Sequence, residues 1–310
     1  MSQHIALTLA TAIFSWLAAT APSEACSICR CGDVTFNALG KEGYTQQGFR
    51  VAVDWERFDK DEGNPAGEFE SQVENRVTAL AAYGVGDRFM LTARVPYSTR
   101  ELTASSEGGS PEKINTKGFS DPEIYGQARL WASGMSGLGH RASVSLIAGV
   151  KIPWGQNDVQ QEGARLDEHA QPGTGSTDLF ANLALLYLID AESALFVSNG
   201  YRHPGGNDYG YRYGSTYLAN VAYEHKLGAK LDGTVELNFR HAQKDRVDAQ
   251  GTLAGNTGGS LLYATSRLLV NLGQGIVLRV ATQIPMVRNL NGFQKERAVL
   301  NVGLTQVFSR

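Results

Sequence analysis

Apolar or small side chains alternate with polar ones along most of this chain, in stretches of about ten residues separated by turns rich in Gly, Asn and Asp. The last stretch places Ala298, Leu300, Val302, Leu304 and Phe308 on one face and Val299, Asn301, Gly303 and Thr305 on the other. The first places Phe49, Val51, Val53 and Trp55 opposite Arg50, Ala52, Asp54 and Glu56. A period of two is the period of a β-strand. The pattern predicts twelve strands, over 47–58, 74–85, 88–99, 122–132, 141–153, 177–189, 193–202, 213–225, 231–243, 260–272, 276–286 and 296–308. Strands of this length cross a bilayer inside a closed barrel, where no sheet edge is left unpaired in hydrocarbon. The expected fold is therefore all-β, a transmembrane antiparallel up-and-down β-barrel of about 12 strands.

The connections carry the same message. Short links near 86–87, 191–192, 228–229 and 273–274 alternate with longer stretches at 59–72, 100–118, 155–175, 203–212, 245–258 and 288–295. The turn at 133–140 is of middling length. Outer-membrane barrels combine short periplasmic turns with long external loops, and an even strand number puts both termini on the periplasmic side. A soluble β-sandwich has no reason to alternate in this way.

The chain has 310 residues, of which 19% are charged, and a mean hydropathy of −0.23, too polar for a bundle of membrane helices. Its apolar run, Ile5 to Ala19, is followed by Ala21-Pro22-Ser23-Glu24-Ala25, with small residues where signal peptidase needs them. We expect a signal peptide over 1–25, a periplasmic Cys-containing N-terminal extension over 26–46 and an outer-membrane barrel over 47–310. The expected location is the bacterial outer membrane, with the N-terminus periplasmic and the lipid bilayer as a partner. A net charge of −3 without a basic stripe argues against a nucleic-acid partner.

Three segments carry a resemblance. Gly118-Phe-Ser-Asp121-Pro122 runs into a strand, Gly149-Val-Lys151-Ile-Pro153-Trp-Gly155 closes one, and Gly173-Thr-Gly175-Ser-Thr-Asp178 opens another. In order and spacing they resemble the signatures of the outer-membrane transporter family named for the MetA-pathway of phenol degradation. The resemblance covers about residues 45–310, and its motifs are turn-and-strand patterns. It implies a channel or transporter for small solutes, including small hydrophobic or aromatic compounds.

Two constellations carry chemistry. The cysteines cluster as Cys26-Ser-Ile-Cys29-Arg-Cys31. Three thiolates with this spacing suit a soft metal such as Cu(I) or Zn. An oxidising periplasm would instead form one disulfide, and Cys26, directly after Ala25, is also a position for lipidation. No His follows the Cys-x-x-Cys, so c-type haem attachment is not supported.

The second constellation is a set of charges on the polar faces of strands. These are Arg50, Asp54, Glu56, Arg94, Arg129, Lys151, Glu236, Arg240, Arg267 and Arg279. An Arg or Lys facing lipid at the bilayer midplane costs about 2–4 kcal/mol, so these faces belong to the lumen. There they would set solute selectivity or pair with one another and brace the interior. The stretch 158–177, with Glu162, Arg165, Asp167, Glu168 and His169, reads as a solvated external loop. No nucleophile elbow, Walker loop or zincin helix occurs, and no catalytic residue is assigned. The expected function is a non-enzymatic channel with a charged lumen. The alternative is a barrel that scaffolds a periplasmic metal-binding or electron-transfer site at the Cys cluster, with a periplasmic metal or redox partner.

Overall fold

The computed structural model describes residues 48–63, 69–105, 112–136, 139–247, 251–292 and 294–308. The expected signal peptide over 1–25, the expected extension over 26–46 and Cys26, Cys29 and Cys31 lie outside the described residues. Within them the chain is a closed antiparallel barrel of twelve strands. We number these β1 (Gly48–Gly63), β2 (Phe69–Val85), β3 (Phe89–Ser105), β4 (Glu112–Phe119 and Glu123–Ala132), β5 (Ala142–Lys151) and β6 (Asp178–Leu188). There follow β7 (Ser193–Pro204), β8 (Thr216–Gly228), β9 (Leu231–Ala242), β10 (Gly259–Gly273), β11 (Ile276–Leu290) and β12 (Gln294–Glu296 and Val299–Phe308).

Each strand pairs with its neighbour in sequence, and the ring closes because β1 pairs on one side with β2 and on the other with β12. The closing register runs from Phe49↔Phe308 to Arg57↔Leu300, so no edge is left between first and last strand. β4 is interrupted at 120–122, and the wall stays continuous there through Ser120 N–H to Pro96 O (2.9 Å) and Ile152 N–H to Pro122 O (2.8 Å).

Closure gives the sheet two faces. Phe49, Val53, Val77, Phe89, Leu91, Val95, Leu183, Val221, Val235, Leu237, Ile284 and Leu304 are exposed on the outside. The alternate residues, among them Ala52, Asp54, Thr78, Leu80, Thr92, Asn182, Glu236 and Thr305, are buried inside. Phe49 stacks on Phe308 at 5.9 Å at the ends of β1 and β12, and Tyr97 lies edge-on to Phe119 at 5.3 Å midway along β3. His203 and His241 meet Ser215 and Ser260 at 3.1 and 2.9 Å as cross-strand polar contacts near the loop-side ends.

Two stretches expected to be loops are strand instead. Much of 59–72 continues β1 and β2, with pairs from Asp59↔Val73 to Gly63↔Phe69. The stretch 100–118 extends β3 to Ser105 and returns as the first part of β4, paired from Tyr97↔Phe119 to Ala104↔Glu112. The physical reason is that these extensions are polar on both faces, so the alternation that marks a lipid-facing strand is absent. Their ladders are held by the backbone and by pairs such as Ser71 Oγ–H to Asp61 Oδ1 at 2.9 Å and Lys113 to Glu101 at 3.1 Å. β1, β2 and β3 thereby reach 16, 17 and 17 residues, against 11, 12, 13 and 12 for β6 to β9.

Glycines mark close approaches on the inner wall. At Gly149 an added Cβ would lie 2.5 Å from Ile124 O and 2.7 Å from Tyr125 Cα, because Tyr125 leans across this position to meet Phe180 edge-on at 6.0 Å. Gly303 leaves room for Arg279 to cross to Asp54 at 2.6 Å, and a Cβ there would meet Arg279 Nη2 at 2.7 Å.

The two-faced wall gives a direct test. Leu183→Arg places a cation on the lipid-facing side of β6 and is expected to destabilise the refolded barrel by about 2–4 kcal/mol in vesicles. Urea unfolding in lipid measures this. Unchanged stability would mean that Leu183 does not face hydrocarbon.

Candidate functional site: an inward loop clamped by buried charges

The link between β5 and β6 does not stand off into solvent. Its early part is exposed, but Glu168, Ala170, Gln171, Pro172, Gly173 and Ser176 are buried. This corrects the expectation of a solvated external loop. A buried loop must give its backbone polar groups partners, and here side chains of the barrel wall supply them.

One clamp comes from β2, β3 and β4. Arg100 Nη1–H donates to His169 O at 2.9 Å and also to Gln171 O. Thr116 Oγ1–H donates to Ala170 O at 2.7 Å. Arg100 is itself fixed by Glu74, whose carboxylate accepts from Arg100 Nε (2.8 Å), Arg76 Nη2 (2.7 Å) and Ser98 Oγ (2.8 Å). Glu74 is 1% exposed, so leaving it unpaired would strand a charge in the interior.

A second clamp joins the three resemblance motifs. Lys151, at the end of β5, lies 3.0 Å from Asp178 Oδ2 and 3.4 Å from Asp121 Oδ2. It also donates to Thr174 Oγ1 and, at 3.2 Å, to Ser176 Oγ. Asp121 accepts from Gly155 N–H and Thr174 N–H, both at 2.8 Å, and from Thr174 Oγ1–H at 2.5 Å. The motif glycines permit the approach. A Cβ on Gly155 would stand 2.7 Å from Asp121 N, one on Gly173 would stand 2.6 Å from Gly155 Cα, and Gly175 has φ +66°. The motifs are thus three parts of one joint, in which two aspartates and a lysine fasten both feet of the loop to β4, β5 and β6.

The joint extends into the barrel. The register Arg94↔Glu123↔Lys151↔Asp178 lines up alternating charges across β3, β4, β5 and β6. Arg202 of β7 passes over the Phe180 ring at 4.7 Å and reaches Glu123 at 2.6 Å and Asp178 at 3.4 Å. Arg94 contacts Glu123 at 3.2 Å. Three cations (Arg94, Lys151, Arg202) therefore face three carboxylates (Asp121, Glu123, Asp178).

Above this joint three loops meet. Tyr211 O–H donates to Asp245 Oδ2 at 2.5 Å, and its oxygen lies 3.2 Å from His169 Nε2. Tyr213 O–H donates to Glu168 O at 3.2 Å, and Asn207 Nδ2–H donates to Thr174 O at 3.2 Å. Gly214 N–H donates to Asp245 Oδ1 at 2.6 Å. Burial pushes the His169 imidazole below its ordinary range; Lys60 adds to that, while Asp167, Asp245 and Glu62 oppose it. Burial raises the Asp245 carboxyl, against the Tyr211 hydrogen bond and the His169 ring.

The charges read from the sequence lie along the inner wall. Arg50, Asp54, Lys151, Glu236, Arg240, Arg267 and Arg279 are buried there, and Glu56, Arg94 and Arg129 are half-buried. Asp54 pairs with Arg279, and Glu236 with Arg267 at 2.7 Å. Arg50 Nη1–H points at Met90 Sδ, 3.5 Å away, and Arg129 lies at the turn end, 3.5 Å from Asp87. Sequence reasoning missed Glu74, Arg100, Glu123 and Arg202; Glu74, Glu123 and Arg202 sit at inward-facing parity within the predicted strands, which was the available signal.

The inner wall is not charged throughout. Tyr125, Ile147, Phe180, Leu186, Leu188 and Phe196 form an apolar patch on β4 to β7. Beside it runs a neutral polar ladder: Asn220 Nδ2–H to Ser198 Oγ at 3.0 Å, Asn238 Nδ2–H to Asn220 Oδ1 at 3.0 Å and Thr265 Oγ1–H to Asn238 Oδ1 at 2.5 Å. Among the described residues no group of three or more His, Cys, Asp or Glu is placed to hold a metal ion. The cysteine cluster lies outside them, so the alternative function built on it gains no structural support.

The fold is similar to that of an outer membrane channel from Pseudomonas putida F1, with a TM-score of 0.65 at 12% identity, over 86% of this chain and 98% of that one. It is also similar to the translocator domain of autotransporter NalP from Neisseria meningitidis, with a TM-score of 0.50 at 13% identity, over 86% of this chain and 90% of that one. The fold is that of a bacterial outer-membrane barrel. No protein-family model and no curated protein matches the sequence. At such identities the likeness is one of architecture.

Lys151 is the joint's central cation. Lys151→Met would leave Asp121 and Asp178 buried without it, and is expected to destabilise the protein by about 3–5 kcal/mol. The triple variant that also carries Asp121→Asn and Asp178→Asn is expected to recover part of that loss. Thermal unfolding in detergent compares the two; a Lys151→Met protein as stable as the parent would refute the joint.

Proposed function

We propose that this chain is an outer-membrane channel that passes small solutes between its loop side and its turn side. The observation that carries this reading is the inward loop. A segment folded into the mouth of a barrel and fastened to its inner wall narrows a path through that wall, and it has little use in a barrel that serves as an anchor alone. The architecture shared with the Pseudomonas putida outer membrane channel supports the same reading. Twelve strands enclose an interior between the filled eight-stranded barrels and the open sixteen-stranded porins, so passage is limited to small molecules.

In this reading the short turns and the N-terminus are periplasmic, and the inward loop lies on the external side. Arg50, Asp54, Glu56, Arg94, Arg129, Lys151, Glu236, Arg240, Arg267 and Arg279 line the path and set its selectivity. The apolar patch of Tyr125, Ile147, Phe180, Leu186, Leu188 and Phe196 beside a neutral hydrogen-bonding ladder suits solutes with an apolar body and one polar group. Small aromatic compounds meet that description, in line with the resemblance to the MetA-pathway transporters. No chemical step is assigned to the barrel.

Planar-bilayer recording with the refolded barrel tests the proposal. The parent is expected to give ohmic unitary currents. Arg100→Ala, which frees the loop carbonyls of His169 and Gln171, is expected to raise conductance severalfold. Arg240→Glu, a change of two charges on the inner wall, is expected to shift the reversal potential in a salt gradient towards cation preference. A membrane that stays sealed with correctly folded protein overturns the channel reading.

A further inference from the structure

The meeting of three loops at His169 has a property that a plain constriction does not need. Tyr211 gives its proton to Asp245, so its oxygen receives a hydrogen from His169 Nε2. That fixes the neutral imidazole with its proton on Nε2. The other nitrogen, Nδ1, is buried and has no hydrogen-bond partner among the described residues. The ring is held edge-on between Tyr211 at 5.8 Å and Tyr213 at 6.3 Å, and those two rings meet each other at 4.9 Å. A second proton on His169 would therefore be carried on a nitrogen with nothing to receive its hydrogen bond. The same residue lies on the segment whose carbonyls Arg100 holds.

We propose that His169 is a proton-operated latch: neutral, it locks the inward segment 168–176 to the neighbouring loops, and its protonation releases that segment and widens the path. The widening rests on the channel reading above; the release does not.

Charged groups face the ring from several elements. On its own loop, Asp167 favours the imidazolium, while Arg165 and Glu168 neutralise each other through contacts of 3.0 and 2.5 Å. From β1, Glu62 favours the imidazolium and Lys60 opposes it, and these two pair at 2.8 Å. From β3, Arg100 faces the backbone of His169 and is held by Glu74. From the loop after β9, Asp245 favours the imidazolium but already accepts from Tyr211 and Gly214. Burial outweighs these attractions, and the packed ring resists protonation.

The sign follows. The packed imidazole binds its proton less readily than a free one, so stabilisation by the latch is complete above the free-histidine range and is lost as the pH falls below it. Asp245 works in the other direction. Its raised carboxyl favours the packed state when protonated, which limits release at still lower pH.

Hydrogen–deuterium exchange of the peptide covering 166–176, corrected for intrinsic rates, reads the latch in the full-length refolded protein. Between about pH 7.5 and about pH 5, exchange is expected to rise by at most about tenfold per pH unit, the limit for one proton. His169→Gln is expected to remove this dependence, and bilayer conductance is expected to rise in parallel with exchange in the parent. Exchange that does not change with pH in the parent overturns the proposal, as does an equal rise in His169→Gln. A rise confined to the parent, with no current at any pH, upholds the latch and overturns the channel reading instead. Should His169→Gln fail to fold, the parent curve decides alone: a midpoint above the free-imidazole value, or none, overturns the latch.

Discussion

A strand in hydrocarbon has to give every backbone N–H and C=O a partner, and this chain meets that demand by pairing β1 with both β2 and β12. Ring closure then settles the rest. It divides each strand into a face that meets lipid and a face that meets the interior, and it removes any third place for a charged side chain to go. The arginines, lysine and carboxylates of the inner wall are gathered at close quarters, where many of them pair with one another. Pairs such as Asp54 with Arg279 and Glu236 with Arg267 are what that confinement produces.

The same confinement explains how a polar loop comes to lie inside. Carbonyls of His169, Ala170 and Gln171 would be costly to bury alone, yet the wall already holds donors in Arg100 and Thr116. Asp121 acts similarly from the acceptor side, taking Gly155 N–H and Thr174 N–H at the two feet of the loop. Each clamp side chain is fixed by a further buried charge: Glu74 behind Arg100, and Lys151 beside Asp121. Loop position and the pairing of these inner-wall charges are therefore one problem with one solution.

Much of this was legible in the sequence, and the limits have physical causes. The twelve spans and their faces could be read because lipid imposes a strict alternation on every outward position. The continuations of β1, β2 and β3 could not, because both faces there meet polar surroundings and a residue such as Asp61 or Glu62 carries no sign of which way it points. Asp121, Lys151 and Asp178 stood in conspicuous motifs, yet their meeting depends on register between strands and on the return path of a loop. The stretch Glu168-His169-Ala170-Gln171 has the composition of a solvated turn. What buries it is a set of partners supplied from elsewhere in the chain. Arg202 shows the intermediate case: its inward parity was readable, its reach across Phe180 to Glu123 was not.

The unequal strand lengths bear on how anything approaches this molecule. The turn between β2 and β3 is short and their register stays unbroken, so the additional residues of β1, β2 and β3 all project on the loop side. Four residues of strand correspond to about 13 Å before tilt. The hydrogen-bonded wall is consequently taller over β1 to β3 than over β6 to β9. On the side of β6 to β9 the rim is made by loops instead, bridged from Gly206 to Arg212, from Arg212 to Arg246 and from Arg246 to Leu253.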